Sequence, residues 1–255
     1  MNNILLNDIS EYGLLNISGT DAKKFLQGQL TCQMDIVVDH QMKIAAHCNP
    51  KGRVISLFYI GSFDQAYFLL LPGKMLEITL NSLKKYAVFY KVSLSDMSDD
   101  HAMLHDIIHQ VIHLFSMKDA DAYLKHRLIE HRIPQIYPET SGYFLPQEIN
   151  LHDLNAIDFE KGCYTGQEII ARIHYRGKLK SRLIKASIQS AMKPNPGSLI
   201  YYGDTEKKVC GTIVDLYEKA YNQYVVLMVV EDRHIKNDHL FLDNPYVFFT
   251  IDNSV

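Results

Sequence analysis

The sequence predicts an α+β protein that ends in a small β-barrel, divided at about Gly177 into residues 1–176 and 177–255. Three observations carry this prediction. Strand-length apolar runs and helix-period repeats are mixed through the first hundred residues. A proline-punctuated stretch follows. Five short strand-like runs, separated by turn residues, complete the chain.

Gly13 to Ile17 is a short apolar run. Ser18-Gly19-Thr20-Asp21 then offers capping residues for a helix over Ala22 to Leu30, on which Phe25, Leu26 and Leu30 form a buried face. Lys43 to His47 and Arg53 to Ile60 flank Asn49-Pro50-Lys51-Gly52 and predict a hairpin. Ala66 to Leu71 is a strand closed by Pro72-Gly73. Lys74 to Lys85 places Leu76, Leu80 and Leu83 on one side of a helix, and Tyr86 to Leu94 returns to strand.

From Asp96 to Lys125 the pattern is less regular. His101, His105, His109 and His113 recur every four residues, and an i, i+4 histidine pair on a helix can grip zinc. The same stretch carries Met103, Ile107, Ile108, Val111, Ile112 and Leu114, the apolar face of a half-exposed helix. No Glu follows a His in metalloprotease fashion and no cysteine lies near, so no metal site is expected. Arg127 to Asp158 holds Pro134, Pro138, Gly142 and Pro146, which implies a loop-rich segment of the kind that binds ligands. The barrel strands are Leu183 to Ile188, Ser198 to Tyr202, Val209 to Tyr217, Tyr224 to Val230 and Tyr246 to Ile251. Turns lie at Pro194-Asn195-Pro196-Gly197, Gly203-Asp204 and Asp243-Asn244-Pro245.

Hydrophobic residues make up 47% of the chain and charged residues 22%, enough apolar mass for a real core. The net charge of -3 gives no global basic field, so direct contact with nucleic acid is not expected, although a local patch is compatible with it. The acidic stretch from Met1 to Glu11 is unlike a secretory signal, and no apolar run approaches a membrane span. A cytoplasmic monomer is the expectation. Cys32, Cys48, Cys163 and Cys210 show no CxxC pairing and are expected as free thiols.

The sharpest motif is Lys161-Gly162-Cys163-Tyr164-Thr165-Gly166-Gln167-Glu168, which runs into the helical pattern Ile169, Ile170 and Ile173 with Arg172 and Arg176. Thr165 can cap that helix, with Glu168 closing a capping box. A thiol beside a lysine and a helix start gains thiolate character. The bracketing glycines would let a ligand approach the backbone. Equally, a Gly-Cys-Tyr turn can hold a buried, inert cysteine. Cys48 beside His47 reads as structural, Cys210 as core, and Cys32 carries no signal.

KGCYTGQE followed by IIAR resembles the signature of the YgfZ family. Phe25 to Thr31, Ala45 to Arg53, Leu83 to Phe89 with Lys91-Val92, and Ser141 to Gln147 with Asn150-Leu151 resemble further segments of that family in the same order. The resemblance implies an aminomethyltransferase-like folate-binding fold: two interleaved α+β units, the second shortened here between Asp96 and His126, and a terminal barrel around a folate-sized cavity. It also implies a folate-binding accessory protein, with tetrahydrofolate as cofactor, that serves iron–sulfur enzymes or their assembly machinery and so, indirectly, tRNA modification. Cys163 with Lys161 would be the reactive pair, the lysine stabilising the thiolate. A pterin edge is best accepted by a carboxylate and a glutamate tail by cations. Glu148 and Glu168 are candidates for the first, Arg172 and Arg127 for the second, and Tyr164 and Gln167 complete the cofactor-binding set. Glu148 also reads as a solvated loop acid and Glu168 as a capping residue. Arg176 and Lys178 to Arg182 read as a solvated basic stretch. Where the aminomethyltransferases carry an Asp-Asp pair after the hairpin turn, this chain has Val54-Ile55-Ser56-Leu57. That departure argues against the alternative, a tetrahydrofolate-dependent one-carbon transferase.

Overall fold

A computed structural model describes residues 11–39, 41–114, 124–203, 206–236, 240–242 and 247–252. The first sheet holds β1 (Tyr12–Ser18), β2 (Lys43–Cys48), β3 (Val54–Phe63), β4 (Ala66–Pro72) and β5 (Ser93–Asp96), in the order β2-β3-β4-β1-β5. Every pairing is antiparallel. The chain reverses between β2 and β3 because Asn49 Oδ1 accepts the N–H groups of Lys51 and Arg53, at 2.9 and 3.0 Å, and Gly52 takes a φ of 71°.

Helix α1 (Ala22–Gln29) buries Phe25 and Leu26 completely. Asp21 stands at its N-cap, but its carboxylate accepts the Lys91 N–H at 2.8 Å and does not cap the helix. Helix α2 (Leu76–Ala87) is fixed to the sheet by two buried polar pairs, Ser56–Thr79 at 2.7 Å and His47–Ser82 at 2.9 Å. The predicted strand from Tyr86 to Leu94 is corrected: the helix continues through Ala87, a turn follows, and strand begins only at Ser93. Val88 and Phe89 are 75% and 81% exposed, so the apolar run that suggested a strand has no sheet face to bury against.

Helix α3 (His101–Leu114) packs on β4 through Leu104, Ile107, Ile108 and Val111, the apolar stripe of an amphipathic helix. Of the histidine stripe, His101 is exposed. The side chains of His105, His109 and His113, with those of Ile112 and Leu114, lie outside the described residues. Among the described residues no cluster of His, Cys, Asp or Glu suits a metal ion, and no helix is long and apolar enough to cross a membrane. Helix α4 (Leu124–Glu130) packs on the second sheet. Residues 131–166 are loops and short 3-10 turns, and α5 (Gln167–Arg176) follows.

The second sheet is β6 (Ser181–Gln189), β7 (Leu199–Tyr202), β8 (Lys208–Ala220), β9 (Gln223–Glu231) and β10 (Phe249–Ile251), in the order β10-β6-β9-β8-β7. Bridges from Tyr201 to Phe241 and from Phe241 to Phe248 bring its two edges together into a small barrel. The turns predicted at Asp204 and at Asp243 to Pro245, and the strand start at Tyr246, lie outside the described residues. In β9, Val226, Met228 and Val230 fill the barrel, while Val225, Leu227 and Val229 pack on the α+β body. A strand buried on both faces explains why Tyr224 to Val230 is apolar without alternation.

Candidate functional site

The segments singled out in the sequence meet around the end of α1. There the Thr31 N–H donates to Ala46 O at 3.0 Å and the Thr31 hydroxyl to Ala156 O at 2.6 Å. Asp158 N–H closes onto Thr31 O at 2.9 Å. The Asp158 carboxylate then accepts the N–H groups of Glu160 and Lys161, at 2.8 and 2.9 Å, and turns the chain into the Lys161–Glu168 loop. The Thr165 N–H donates to Gly28 O at 3.2 Å. Segment 142–144 pairs with Val54 on the other side of the hairpin.

Gly166 is where loop and hairpin lock. Its φ is 86°, and a Cβ there would sit 2.5 Å from Asn49 O and 2.9 Å from Gly52 Cα. The glycine expected to admit a ligand therefore admits the hairpin turn. Gly162, by contrast, is exposed, and a Cβ there would meet nothing within 4 Å.

Lys161 is corrected more sharply. It is 5% exposed, and its ammonium donates to Gln27 O, Leu30 O and Cys32 O at 2.9, 2.7 and 2.6 Å. These carbonyls lie at and just beyond the C-terminal end of α1, where a cation is favoured by orphan acceptors and helix dipole together. All three of its donors are spent there, so the Cys163 thiolate has no claim on them. Burial still pushes the Lys161 pKa down to about 8. Burial also raises the Cys32 thiol to about 11.

Of the four cysteines, Cys163 alone is exposed. Tyr164 is buried with its ring 4.9 Å from the Lys161 ammonium, and its hydroxyl has no hydrogen-bond partner among the described residues. Gln167 Nε2 reaches Lys161 O at 3.4 Å and ties the loop's ends. The capping box predicted from Thr165 and Glu168 does not form: Gly166 is the N-cap, and no side chain caps the helix. Glu168 and Arg172 are both exposed on α5 and form no ion pair among the described residues. His174 stacks on Phe159 at 3.7 Å.

Glu148 is not a free loop acid. Its Oε2 accepts the Leu145 N–H at 2.8 Å, capping a 3-10 turn, and lies 3.5 Å from Arg53 Nη1. Arg127 is half-buried on α4, which packs against the barrel. None of Glu148, Glu168, Arg172 and Arg127 lines the cleft between the two parts.

Two volumes bear on a cofactor. Between the first sheet and Ile133–Gln135 the interior leaves a void of about 10 Å³, room for a water at most. Beside it Asp215, fully buried, accepts from Gln135 N–H at 3.1 Å, Leu216 N–H at 2.8 Å and the Tyr137 hydroxyl at 3.0 Å, with Lys125 at 3.5 Å. Burial nevertheless raises its pKa. At the junction of the two parts, a cleft of about 620 Å³ is lined by Arg132, Gln147, Asn150, Lys178, Arg182 and Asp232, among others. Its size suits a drug-sized organic ligand. Gln147 Nε2 donates to Ile170 O at 2.8 Å, while its buried Oε1 has no partner among the described residues. Gln147, one position before Glu148, carries no charge that marks it as a ligand in the sequence. Asp215 carries one signal, a lone acid inside the apolar run Ile213-Val214-Asp215-Leu216.

No family model matches the chain. It is 30% identical to the tRNA-modifying protein YgfZ of Aliivibrio fischeri strain ES114, covering 83% of this chain and 80% of that protein. It is 29% identical to the tRNA-modifying protein YgfZ of Photobacterium profundum, covering 97% and 90%. The fold matches the glycine cleavage system aminomethyltransferase T of Bartonella henselae with a TM-score of 0.68 at 11% identity, over 97% of this chain and 84% of that one. That match extends to the architecture, α+β body and terminal barrel alike. At the identity and coverage shared with the Aliivibrio fischeri protein, the chain belongs to the YgfZ family.

Proposed function

We propose that this protein is a folate-binding accessory factor that supports the assembly or repair of iron–sulfur enzymes and, through them, tRNA modification. The observation that carries the reading is the mounting of Cys163. Lys161, Tyr164 and Gly166 are consumed in fixing the loop, and the thiol is left outside. A rigidly held, accessible thiol suits exchange with another macromolecule better than chemistry on an enclosed substrate. The relatives' name, tRNA-modifying protein, supports the direction of that exchange.

The junction cleft is the place for the folate. Gln147 Oε1 offers an unsatisfied acceptor for an N–H of the pterin edge, and Lys178 a cation for the glutamate tail. Bound there, a folate would bring carrier chemistry for one-carbon units. The transferase alternative lacks support at the hairpin: Ser56 is fully buried and bonded to Thr79, and Val54 to Leu57 supply no carboxylate.

Titration calorimetry with tetrahydrofolate is the test for the cleft. Saturable binding that weakens in Gln147→Leu is expected, and no binding by the parent protein would remove folate from the reading. Cys163→Ala should fold and bind folate as the parent does, yet fail to support iron–sulfur enzyme activity in cells. Full support by that variant would exclude the thiol.

A further inference from the structure

We propose that the exposed face of α5 and the strand entry after it bind single-stranded RNA. This deepens the proposed role by giving the protein a direct RNA partner, and it stands or falls separately from folate binding. The chain has a net charge of -3, yet between Glu168 and Asp204 it carries seven Lys and Arg and no Asp or Glu. The fold sorts these cations. Arg182 is held by Asp232 through two bonds of 2.7 and 2.9 Å, and Lys185 by Glu130 and Asp252 at 2.7 and 3.1 Å. Arg172, Arg176 and Lys180 are exposed and make no ion pair among the described residues.

Aromatic rings lie among them. His174 stacks on Phe159 at 3.7 Å and 14°, and Tyr175 stands edge-on to His174 at 4.8 Å. Tyr175 is 65% exposed and lies one turn on from Arg172 at i+3, as Arg176 does at i+4. Glu168, one turn before Arg172, and Asp158 and Glu160, on either side of Phe159, are the acids nearest in sequence. Cations alone would serve a duplex or an acidic protein. Cations with open ring faces meet the two needs of an unpaired strand, phosphate neutralisation and base stacking. The face follows directly in sequence on the loop that presents Cys163.

The test is fluorescence anisotropy with a labelled anticodon stem-loop RNA across a salt series. The parent should bind saturably. Arg176→Gln/Lys180→Gln should reduce the slope of log affinity against log salt by about 1.4, at about 0.7 per lost phosphate contact. Tyr175→Ala should weaken binding about tenfold with the slope unchanged, as loss of one stacked base does, and Tyr175→Phe should restore it. Absence of binding by the parent, or binding untouched by these substitutions, would overturn the proposal. Competition by polyglutamate as effective as that by RNA, with Tyr175→Ala silent, would assign the face to an acidic protein instead. Tighter binding to the same sequence as DNA would also overturn it. Tetrahydrofolate titration of each variant keeps loss of RNA binding distinct from loss of fold and from failure of the folate reading.

Discussion

Lys161→Met replaces the ammonium with an apolar side chain of similar length and leaves Gln27, Leu30 and Cys32 carbonyls without their donors. Hydrogen bonds from a charged donor contribute roughly 1.5–3 kcal/mol each. Against that gain stands the cost of burying the ammonium, several kcal/mol by order of magnitude. This cost is visible in the downward shift of its pKa to about 8. The net loss on substitution is therefore expected at about 2–3 kcal/mol. For a chain of this size that lowers Tm by roughly 4–12 °C, at about 2–4 °C per kcal/mol. Thermal unfolding followed by circular dichroism measures it, and alkylation of Cys163 as a function of pH runs beside it. A structural lysine moves the first reading and leaves the second nearly alone. If instead Tm stayed within about 1 °C of the parent while the alkylation profile moved to higher pH, Lys161 would be serving the Cys163 thiolate, and the account of the α1 terminus would be refuted.

Gly166→Ala should cost more than about 2 kcal/mol, since the new Cβ meets backbone atoms and the left-handed φ must be held as well, and urea unfolding will report it. His47, with its pKa depressed to about 4 by burial, is neutral in the folded state and charges first in the unfolded one. Its contribution is complete above pH 6.5 and is lost as pH falls toward 4; the loss approaches about 3 kcal/mol, and the difference in urea midpoint between parent and His47→Gln should follow that window. Titration with a thiol reagent should find one fast equivalent in the native protein, Cys163, and four after unfolding; a second fast equivalent would contradict the burial of Cys32, Cys48 and Cys210.

Periodicity and apolar run length located most of the elements, which bury one face or, in β9, both. The hairpin at Asn49 to Arg53, helix α1 and the barrel strands carry their own turn and core signals. The pattern failed at Tyr86 to Leu94, where the apolar residues Val88 and Phe89 are left in solvent. The candidate site was legible as a motif but not as a set of roles. Lys161 looked like a partner for its neighbour Cys163, yet its side chain turns toward α1, more than a hundred residues earlier in the chain. No local rule encodes that choice, because it depends on which carbonyls tertiary packing leaves unsatisfied. The charge that marks Glu148 in the sequence is what the Leu145 N–H and Arg53 use up. Gln147 carries no charge to attract notice, yet it lines the junction cleft and holds a buried acceptor without a partner among the described residues.

The same logic bears on how the signature works. Within it, the lysine and the tyrosine are buried, while Gly162, Cys163 and Glu168 are exposed, so the thiol is the exposed nucleophile of the motif. Exposure of Cys163 is produced by the burial of the others: Lys161 anchors the loop to α1, Gly166 lets it press on the hairpin, and Gln167 draws its ends together. Removing any of these should release the loop before it alters the intrinsic reactivity of the thiol. Substitutions at Lys161 and Gly166 are therefore expected to impair cellular function in proportion to lost stability, whereas Cys163→Ala should impair it at unchanged stability. A plot of function against Tm across the three variants separates the two cases. If Cys163→Ala fell on the same line as the other two, the thiol would be one more packing residue and the chemical role assigned to it would have to be given up.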